Sequence, residues 1–264
     1  MSGEYDLDSG PDPATFAAER AESDIDEETD DPVYVVGIGP GNPEYLTPRG
    51  ERAIRKADVV VGFTTVVECI ADRTGADLLT CGYKDEAEAL EEFGRRVAGG
   101  ESGTAVAMGD PNHSGYQFVG KVQDAVERAD PERPMRVIPG ISSVQMAASR
   151  ARTPIEESEF VTLHKSGDVS EELSRLANAV GKRHLLVLPR PYDLMPGEIA
   201  QFLLERGADP DLDALVLENL THDDEIVHRF TLTGLSEHAG GDSRDETPFS
   251  DMVVLAVRRE VTVG

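Results

Sequence analysis

Short apolar runs rich in β-branched residues alternate with amphipathic stretches along most of this sequence. In the first half of the chain the apolar runs cover residues 33–36, 59–61, 78–79, 105–108 and 136–138. Helical patterns lie between them, for example over residues 85–98 and 115–128. This alternation predicts an α/β fold in which helices cover a mostly parallel sheet.

A second set of apolar runs follows after residue 158. It covers residues 160–163, 185–188, 215–217, 226–231 and 252–257. The connections are longer here and the last runs lack helical patterns between them, so hairpins and a mixed sheet are expected. With 264 residues the chain can bury two cores. We therefore predict two α/β domains, 32–142 and 143–264, with the boundary in the region 140–158.

The amino-terminal segment is strongly acidic. Residues 1–31 hold twelve acidic side chains against one base, Arg20, in a chain whose formal net charge is −26. Such a segment buries too little apolar surface to offset the entropy of ordering it. Residues 1–31 are therefore predicted to form a disordered acidic tail.

The remaining sequence is acidic as well, which limits its partners and location. Without a basic stripe, nucleic acid and anionic membranes are disfavoured as partners. No apolar run approaches the ~18 residues of a membrane span, and the acidic start is unlike a signal peptide. Cys69 and Cys81 form no motif and are interpreted as packing residues of a reduced, cytoplasmic protein. The charge favours a salt-rich cytoplasm, where screening weakens self-repulsion; a merely soluble acidic protein is the alternative.

The first apolar run leads into three closely spaced glycines, Gly37, Gly39 and Gly41, in the stretch "GIGPG". A dinucleotide fingerprint would place its third glycine one position later and start a helix at the loop. Here Pro40 removes a backbone donor, and the next helix is predicted to start at Thr47 and Pro48, as N-cap and first helical residue. Phosphate binding is therefore disfavoured. A ligand without phosphate and a tight turn without any ligand both remain open.

Two further turns follow predicted strands. The run 105–108 leads into "GDP" and the run 136–138 into "PGISS". In a parallel sheet these turns share the edge where ligands bind. Asp110 could accept hydrogen bonds from ligand hydroxyls or cap a helix starting near Ser114. Ser142 and Ser143 are ordinary helix caps that would face the same edge.

Together "GIGPG", "GDP" and "PGISS" resemble the tetrapyrrole methylase family of S-adenosylmethionine-dependent methyltransferases, over residues 33–257. The resemblance implies the two-domain, class III methyltransferase-like fold with a cofactor cleft between the domains. Within the family, "IPGISSVQMAASRARTPIEESEFVTLH" and "VLENLTHDDEIVHRFTL" resemble the precorrin-7 and cobalt-precorrin-7 (C5)-methyltransferases of cobalamin biosynthesis. The sequence departs from that subfamily in two places. After "TLH" it has Lys165, Ser166 and Gly167 where glycine and arginine are expected, and it reads "VLPRP" where a threonine and aspartate turn would follow the strand ending at Leu188.

The resemblance also implies a set of site residues. For S-adenosylmethionine these are Pro40, Gly109, Asp110, His113, Ser142, Ser143, Leu188, Pro189, Glu218 and Asn219. No catalytic residue and no metal ligand is assigned. His113 and His164 stand near the predicted ligand edge, where a wall residue is the commoner role and a general base the alternative. Candidate bases for the carboxylates of a tetrapyrrole are Arg49, Arg150, Arg152, Lys165 and Arg190.

The resemblance further implies a corrinoid small-molecule substrate, a homodimer and a separate decarboxylating corrinoid methyltransferase in the same pathway. Three other readings stay open: a diphthine synthase, a nucleotide-dependent oxidoreductase with an irregular glycine loop, and a non-catalytic corrinoid carrier or sensor.

Overall fold

The computed structural model describes residues 31–113, 115–165, 167–191, 193–240 and 247–260. All of the predicted acidic tail except Asp31 therefore lies outside the described residues. The chain divides into two compact units between Ser142 and Ser143. Within the described ranges, no helix is long and apolar enough to cross a membrane.

The first unit is a parallel sheet with helices. Its strands are β1 (Val33–Gly37), β2 (Val59–Phe63), β3 (Asp77–Cys81), β4 (Gly103–Ala107) and β5 (Met135–Ile138). They lie in the order β3-β2-β4-β1-β5, and every pair is parallel. The helices are α1 (Pro48–Lys56), α2 (Thr64–Glu68), α3 (Glu86–Ala98) and α4 (Tyr116–Ala129), with short 3-10 turns at Pro43–Tyr45 and Ala71–Arg73. The predicted parallel α/β architecture is confirmed.

Both faces of this sheet are buried, which explains the unbroken apolar runs. Val35 packs with Phe93 of α3 on one face, whereas its neighbour Val36 packs with Ile54 of α1 on the other. Side chains alternate across a strand, so a strand covered on both sides must be apolar at successive positions. The helices therefore hold the sheet rigid from both sides, and the turns at its carboxyl edge start from fixed points.

The second unit has a mixed sheet, as predicted. Its strands are β6 (Ser158–Thr162), β7 (His184–Leu188), β8 (Asp213–Glu218), β9 (Ile226–Thr231) and β10 (Val253–Val257), in the order β6-β7-β10-β8-β9. Only the pair β6 and β7 is parallel among these described strands; the other pairs are antiparallel. Its helices are α5 (Ser143–Ala151), α6 (Ser170–Ala179), α7 (Pro196–Glu205) and α8 (Leu232–Ser236), with a 3-10 turn at Ile155–Glu157.

The expectation that no helix separates the last strands was wrong. The hairpin of β8 and β9 is present, but α8 follows β9, and β10 pairs with β7 and β8 instead of β9. Helix α8 has five residues, too few to show a helical period. Its start is nevertheless capped, since the Thr231 hydroxyl accepts a hydrogen bond from the Gly234 amide at 3.0 Å.

Candidate functional site

Three glycines join the strand ends of the first unit. A Cβ atom on Gly37 would lie 2.5 Å from the Gly109 carbonyl oxygen and 2.6 Å from the Gly140 nitrogen. A Cβ atom on Gly140 would lie 2.1 Å from the same Gly109 oxygen. Strands β1, β4 and β5 are neighbours, so these glycines let three main chains meet where the strands end. We call Gly37, Gly109 and Gly140 the glycine junction.

Main-chain hydrogen bonds lock the loops above the junction. Gly39 and Gly109 exchange two bonds, of 3.2 Å from the Gly39 amide and 2.7 Å from the Gly109 amide. Both residues have positive φ, +89° and +65°, which only glycine adopts without cost. The first glycine of "GIGPG" thus serves close packing of main chains, and the second closes a pair between loops. Neither is arranged to present amides to a phosphate.

The chain after Pro40 confirms one predicted helix start and adds a turn that the sequence reasoning missed. Helix α1 begins at Pro48, and the Thr47 hydroxyl accepts from the Gly50 amide at 3.1 Å. Before it, the Pro43–Tyr45 turn begins at Asn42, whose side-chain oxygen accepts from the Glu44 amide at 2.9 Å. Asn42 followed directly by Pro43 could have predicted this turn, because that pair is typical of a helix start. The segment is too short to show a helical period.

Asp110 does not cap the following helix, so that alternative was wrong. Helix α4 begins at Tyr116, with Gly115 in the cap position and no side-chain cap. The Asp110 Oδ1 atom instead accepts from the amide and the side-chain nitrogen of Asn112, at 2.9 and 3.0 Å. This closes a local turn, and within the described part of the chain Oδ2 is left without a hydrogen-bond donor. Ser114, where the helix was expected to start, lies outside the described residues.

The structure brings several predicted site residues of the first unit together. Pro40 is buried directly after Gly39, and the Cβ position of Gly109 lies 3.6 Å from the Cα atom of Ser142. That distance is ordinary van der Waals contact, so the Gly109 and Ser142 main chains pack against each other without a clash. Asp110 and His113 share one turn, in which the His113 amide donates to the Asp110 carbonyl at 2.9 Å. Ser143 opens α5 and belongs to the second unit.

The predicted residues of the second unit also share one sheet edge. Thr162 pairs with Leu188 at the ends of β6 and β7, and Glu218 pairs with Val253 at the end of β8. Pro189 and Asn219 follow their strand ends directly, and His164 follows the end of β6 by two residues. The registers therefore place Leu188, Pro189, Glu218 and Asn219 along the edge where β10 starts.

The Glu218 side chain is held within its own unit. It is 7% exposed, its Oε2 atom lies 2.7 Å from His228 Nε2, and its Oε1 atom accepts from the Ser250 amide at 2.6 Å. With both carboxylate oxygens engaged, the side chain is suited to fixing the strand end. A ligand could engage this carboxylate only by displacing His228 or the Ser250 amide.

At least three of the five bases suggested for substrate carboxylates are already paired. Arg150 lies 2.7 Å from Glu225, Lys165 2.6 Å from Glu172, and Arg190 2.5 Å from Asp193. The other two candidates, Arg49 and Arg152, are exposed. The sequence could not reveal these pairings, because each joins residues that no motif relates.

The two histidines differ in environment. Burial lowers the pKa of His164, and the Asp251 carboxylate opposes that change. Because its pKa lies below the ordinary value of about 6.5, His164 is neutral at pH 7. His113 is half-buried in the Asp110 turn. Only neutral imidazole can accept a proton, so His164 is in the state that a base requires.

Two exposed methionines at these edges were missed by the sequence reasoning. Met108, between β4 and Gly109, is 40% exposed, and Met252, before β10, is 53% exposed. Single exposed apolar side chains are common on protein surfaces, so it is their position beside the strand-end turns that makes these two candidates for ligand contact. The available signal was a methionine at the end of a buried strand, directly before or after a turn.

The fold and the site thus define an α/β protein of two units, whose glycine junction lies at the carboxyl edge of the parallel sheet. A family model described as Tetrapyrrole (Corrin/Porphyrin) Methylases matches residues 32–236. The chain belongs to the tetrapyrrole methylase family and is an S-adenosylmethionine-dependent methyltransferase.

Individual relatives agree with the family. The probable cobalt-precorrin-7 C(5)-methyltransferase of Methanocaldococcus jannaschii is 32% identical over 215 residues, covering 80% of this chain and 92% of the relative. The crystal structure of the methyltransferase CobJ superposes with a TM-score of 0.70 at 21% identity, over 88% of this chain and 97% of that one. Uroporphyrin-III C-methyltransferase from Thermus thermophilus, complexed with S-adenosyl homocysteine, gives a TM-score of 0.62 at 22% identity, over 86% and 97%. At these identities the two solved structures show the fold.

Proposed function

We propose that this chain transfers a methyl group from S-adenosylmethionine to C5 of a corrinoid precursor, precorrin-7 or cobalt-precorrin-7, in cobalamin biosynthesis. The observation that carries the proposal is the 32% identity to the relative from M. jannaschii, which extends over 92% of that protein. Two stretches suggested the same subfamily from the sequence. The stretch 138–164 runs from the end of β5 to just beyond β6, and the stretch 216–232 covers the turn between β8 and β9.

The site fits S-adenosylmethionine in three respects. The cofactor has ribose hydroxyls that need an acceptor, and Asp110 Oδ2 is a carboxylate oxygen available for that purpose. Its adenine is flat, and the surface at Gly109 has no side chain and is bounded by the main chain of Ile141 and Ser142. It has no phosphate, and neither Gly39 nor Pro40 supplies the amides that a phosphate needs.

Cofactor contacts are proposed for the ten residues named from the sequence. They are Pro40, Gly109, Asp110, His113 and Ser142 in the first unit, and Ser143, Leu188, Pro189, Glu218 and Asn219 in the second. For Glu218 the contact is assigned to the main chain, because its carboxylate is bound to His228 and Ser250.

S-adenosylmethionine supplies a methyl group on a sulfonium, and carbon methylation by it is an in-line displacement. The protein's part is to bind both reactants in line and to exclude water, for which no protein nucleophile is needed. Buried and apolar walls at Pro40 and Pro189 suit that role. The methylated carbon must then lose a proton, and His164, neutral at pH 7, is the first side chain to test as its acceptor. His164→Gln would lower kcat with little change in cofactor affinity if it has that role.

Incubation of the purified chain with methyl-13C-labelled S-adenosylmethionine and each corrinoid precursor tests the proposal. NMR and mass spectrometry of the product should show a single new methyl group on C5. A methyl group at another carbon would move the chain to another step of the family's chemistry. Methylation of elongation factor 2 would favour a diphthine synthase, and tight NADH binding without S-adenosylmethionine binding would favour the oxidoreductase. Binding of both ligands without transfer would indicate a corrinoid carrier.

Three further expectations belong to this proposal. We expect a homodimer, a separate decarboxylating corrinoid methyltransferase acting on a neighbouring step, and a cytoplasmic location. Cys69 and Cys81 are free, as expected of a reduced compartment. Burial, with the Glu86 charge next in effect, raises the pKa of Cys81 to about 12, so this thiol is suited to packing and not to redox chemistry.

A further inference from the structure

The turn between β8 and β9 has an unusual backbone. Asn219 has φ +50° and Thr221 has φ +74°, two of the four non-glycine residues with positive φ in the described chain. For a β-branched residue such as threonine this conformation is a true outlier, because Cβ meets the neighbouring carbonyl. A backbone of this kind persists only where surrounding contacts hold it, and such places cluster at ligand sites.

Glu225 supplies the contact that holds Thr221. The Thr221 amide donates to Glu225 Oε2 at 2.7 Å, so the carboxylate fixes the strained residue through its main chain. Arg150, in the last turn of α5, donates from Nε to Glu225 Oε1 at 2.7 Å and from Nη2 to Oε2 at 3.4 Å. The hydrogen bond from Arg150 has the largest effect in keeping the pKa of Glu225 below its usual value, and the bond from the Thr221 amide acts in the same direction. The carboxylate is therefore charged and oriented at neutral pH.

The clamped turn is the one at the proposed cofactor edge. Asn219 follows Glu218, the last residue of β8, and its amide donates to the Met252 carbonyl at 3.0 Å. Its side chain donates to Asp224 Oδ2 at 2.8 Å, and the His222 amide donates back to the Asn219 carbonyl at 2.9 Å. The bond from His222 closes a turn that contains Thr221, so the main chain at Asn219 and the conformation of Thr221 are coupled.

We infer that Glu225, held by Arg150, is a positioning residue that keeps Thr221 in its left-handed conformation and so shapes the Glu218–Asn219 main chain for S-adenosylmethionine. The inference rests on the proposed function, because Glu218 and Asn219 are proposed cofactor contacts. It assigns a role to an ion pair that does not itself touch the reacting atoms, and it removes Arg150 from the candidates for substrate carboxylates.

The chain offers a matched control. Glu159 pairs with Arg175 at 2.5 Å in the same unit, with side chains 25% and 49% exposed, against 20% and 39% for Glu225 and Arg150. Glu159 lies near the start of β6, at the end of the sheet away from the strand-end turns. Glu159→Ala therefore removes an ion pair of the same kind without touching the turn.

The test measures S-adenosyl homocysteine binding by calorimetry, together with the KM for S-adenosylmethionine and kcat. Glu225→Ala is expected to raise Kd about tenfold, or ~1.4 kcal/mol, and to raise KM with kcat within about twofold. Adding Thr221→Gly should restore Kd to within about threefold of wild type, because glycine adopts positive φ without the clamp. Glu159→Ala should leave Kd within about twofold.

The outcomes separate the two proposals. If the wild-type chain binds S-adenosyl homocysteine but Glu225→Ala binds equally well, or if Thr221→Gly fails to rescue it, the inference is wrong and the proposed function stands. If the wild-type chain does not bind S-adenosyl homocysteine, the proposed function fails first and the inference with it. Should Glu225→Ala not fold, Arg150→Ala is the second variant. It keeps the Glu225 carboxylate but removes the guanidinium that orients it. A several-fold rise in Kd for that variant supports the inference, and an unchanged Kd overturns it.

Discussion

Substituting Gly140 by alanine tests whether the glycine junction is a packing device. The new Cβ atom would lie 2.1 Å from the Gly109 oxygen and 2.7 Å from the Gly37 oxygen, whereas ordinary contact begins at 3.4 Å. Both obstacles are main chain at the ends of β4 and β1, so no flexible side chain can move aside. Overpacking a core typically costs about 1–3 kcal/mol, and two main-chain collisions place Gly140→Ala at ~3 kcal/mol or above.

The assay is urea unfolding and thermal melting of the full chain at fixed salt. A loss of ~3 kcal/mol corresponds to a melting temperature lower by roughly 6–12 °C for a chain of this size. Gly75→Ala is the control, because no heavy atom lies within 4 Å of its Cβ position and its φ is not in the left-handed region. It should be neutral or slightly stabilising. A Gly140→Ala variant within about 1 kcal/mol of wild type would show that the strand ends can separate freely, and the packing argument would be wrong.

Three further predictions concern cofactor, pH and salt. Asp110→Asn keeps the Oδ1 bonds to Asn112 but replaces the acceptor Oδ2, so S-adenosyl homocysteine should bind at least about tenfold more weakly at unchanged melting temperature; unchanged affinity would remove Asp110 from the site. Burial, then the charges of Arg259 and Arg258, lowers the pKa of His184, whose Nδ1 accepts from the Arg259 amide at 3.1 Å. Near and below pH 6.5 the unfolded state therefore binds more protons than the folded state, so the free energy of unfolding should fall as the pH drops below about 6.5. In urea titrations His184→Asn should make this fall smaller, and an equal pH dependence in both proteins would contradict the prediction. With a net charge of −26, the melting temperature should rise steeply between low and molar KCl, and a flat response would refute adaptation to salt.

Most of the fold could be predicted because the relevant signals are local and repeated. Each of the ten strands in the described part of the chain contains an apolar run that the sequence shows, and α1 begins at the cap that Thr47 and Pro48 predict. Helix α8 and the Pro43–Tyr45 turn escaped prediction because each is shorter than the period that identifies a helix. The position of β10 between β7 and β8 also escaped, since strand order depends on contacts between distant residues.

The candidate site was less predictable than the fold, for a physical reason. Motifs mark where a strand ends, but they do not show which partner a charged side chain finds. Arg150 looked like an anchor for substrate carboxylates, and its guanidinium is instead bound to Glu225, 75 residues away. Asp110 looked equally suited to capping and to ligand binding, and only the start of α4 at Tyr116 decided against the cap.

The glycine junction also explains why "GIGPG" differs from a dinucleotide loop. A phosphate loop needs glycine to let amides converge on an anion, with a helix starting at once behind them. Here Gly37 faces main chain from two neighbouring strand ends, and the amide and carbonyl of Gly39 are both hydrogen-bonded to Gly109. The helix starts only at Pro48, after an intervening turn. The spacing of the third glycine already departs from the dinucleotide fingerprint, and Pro40 adds to the distinction, because a proline among the glycines removes a donor that a phosphate loop needs. A bulkier residue in place of Gly41, for example Gly41→Val, should therefore leave the weak binding of NADH unchanged, because the loop does not bind its phosphates.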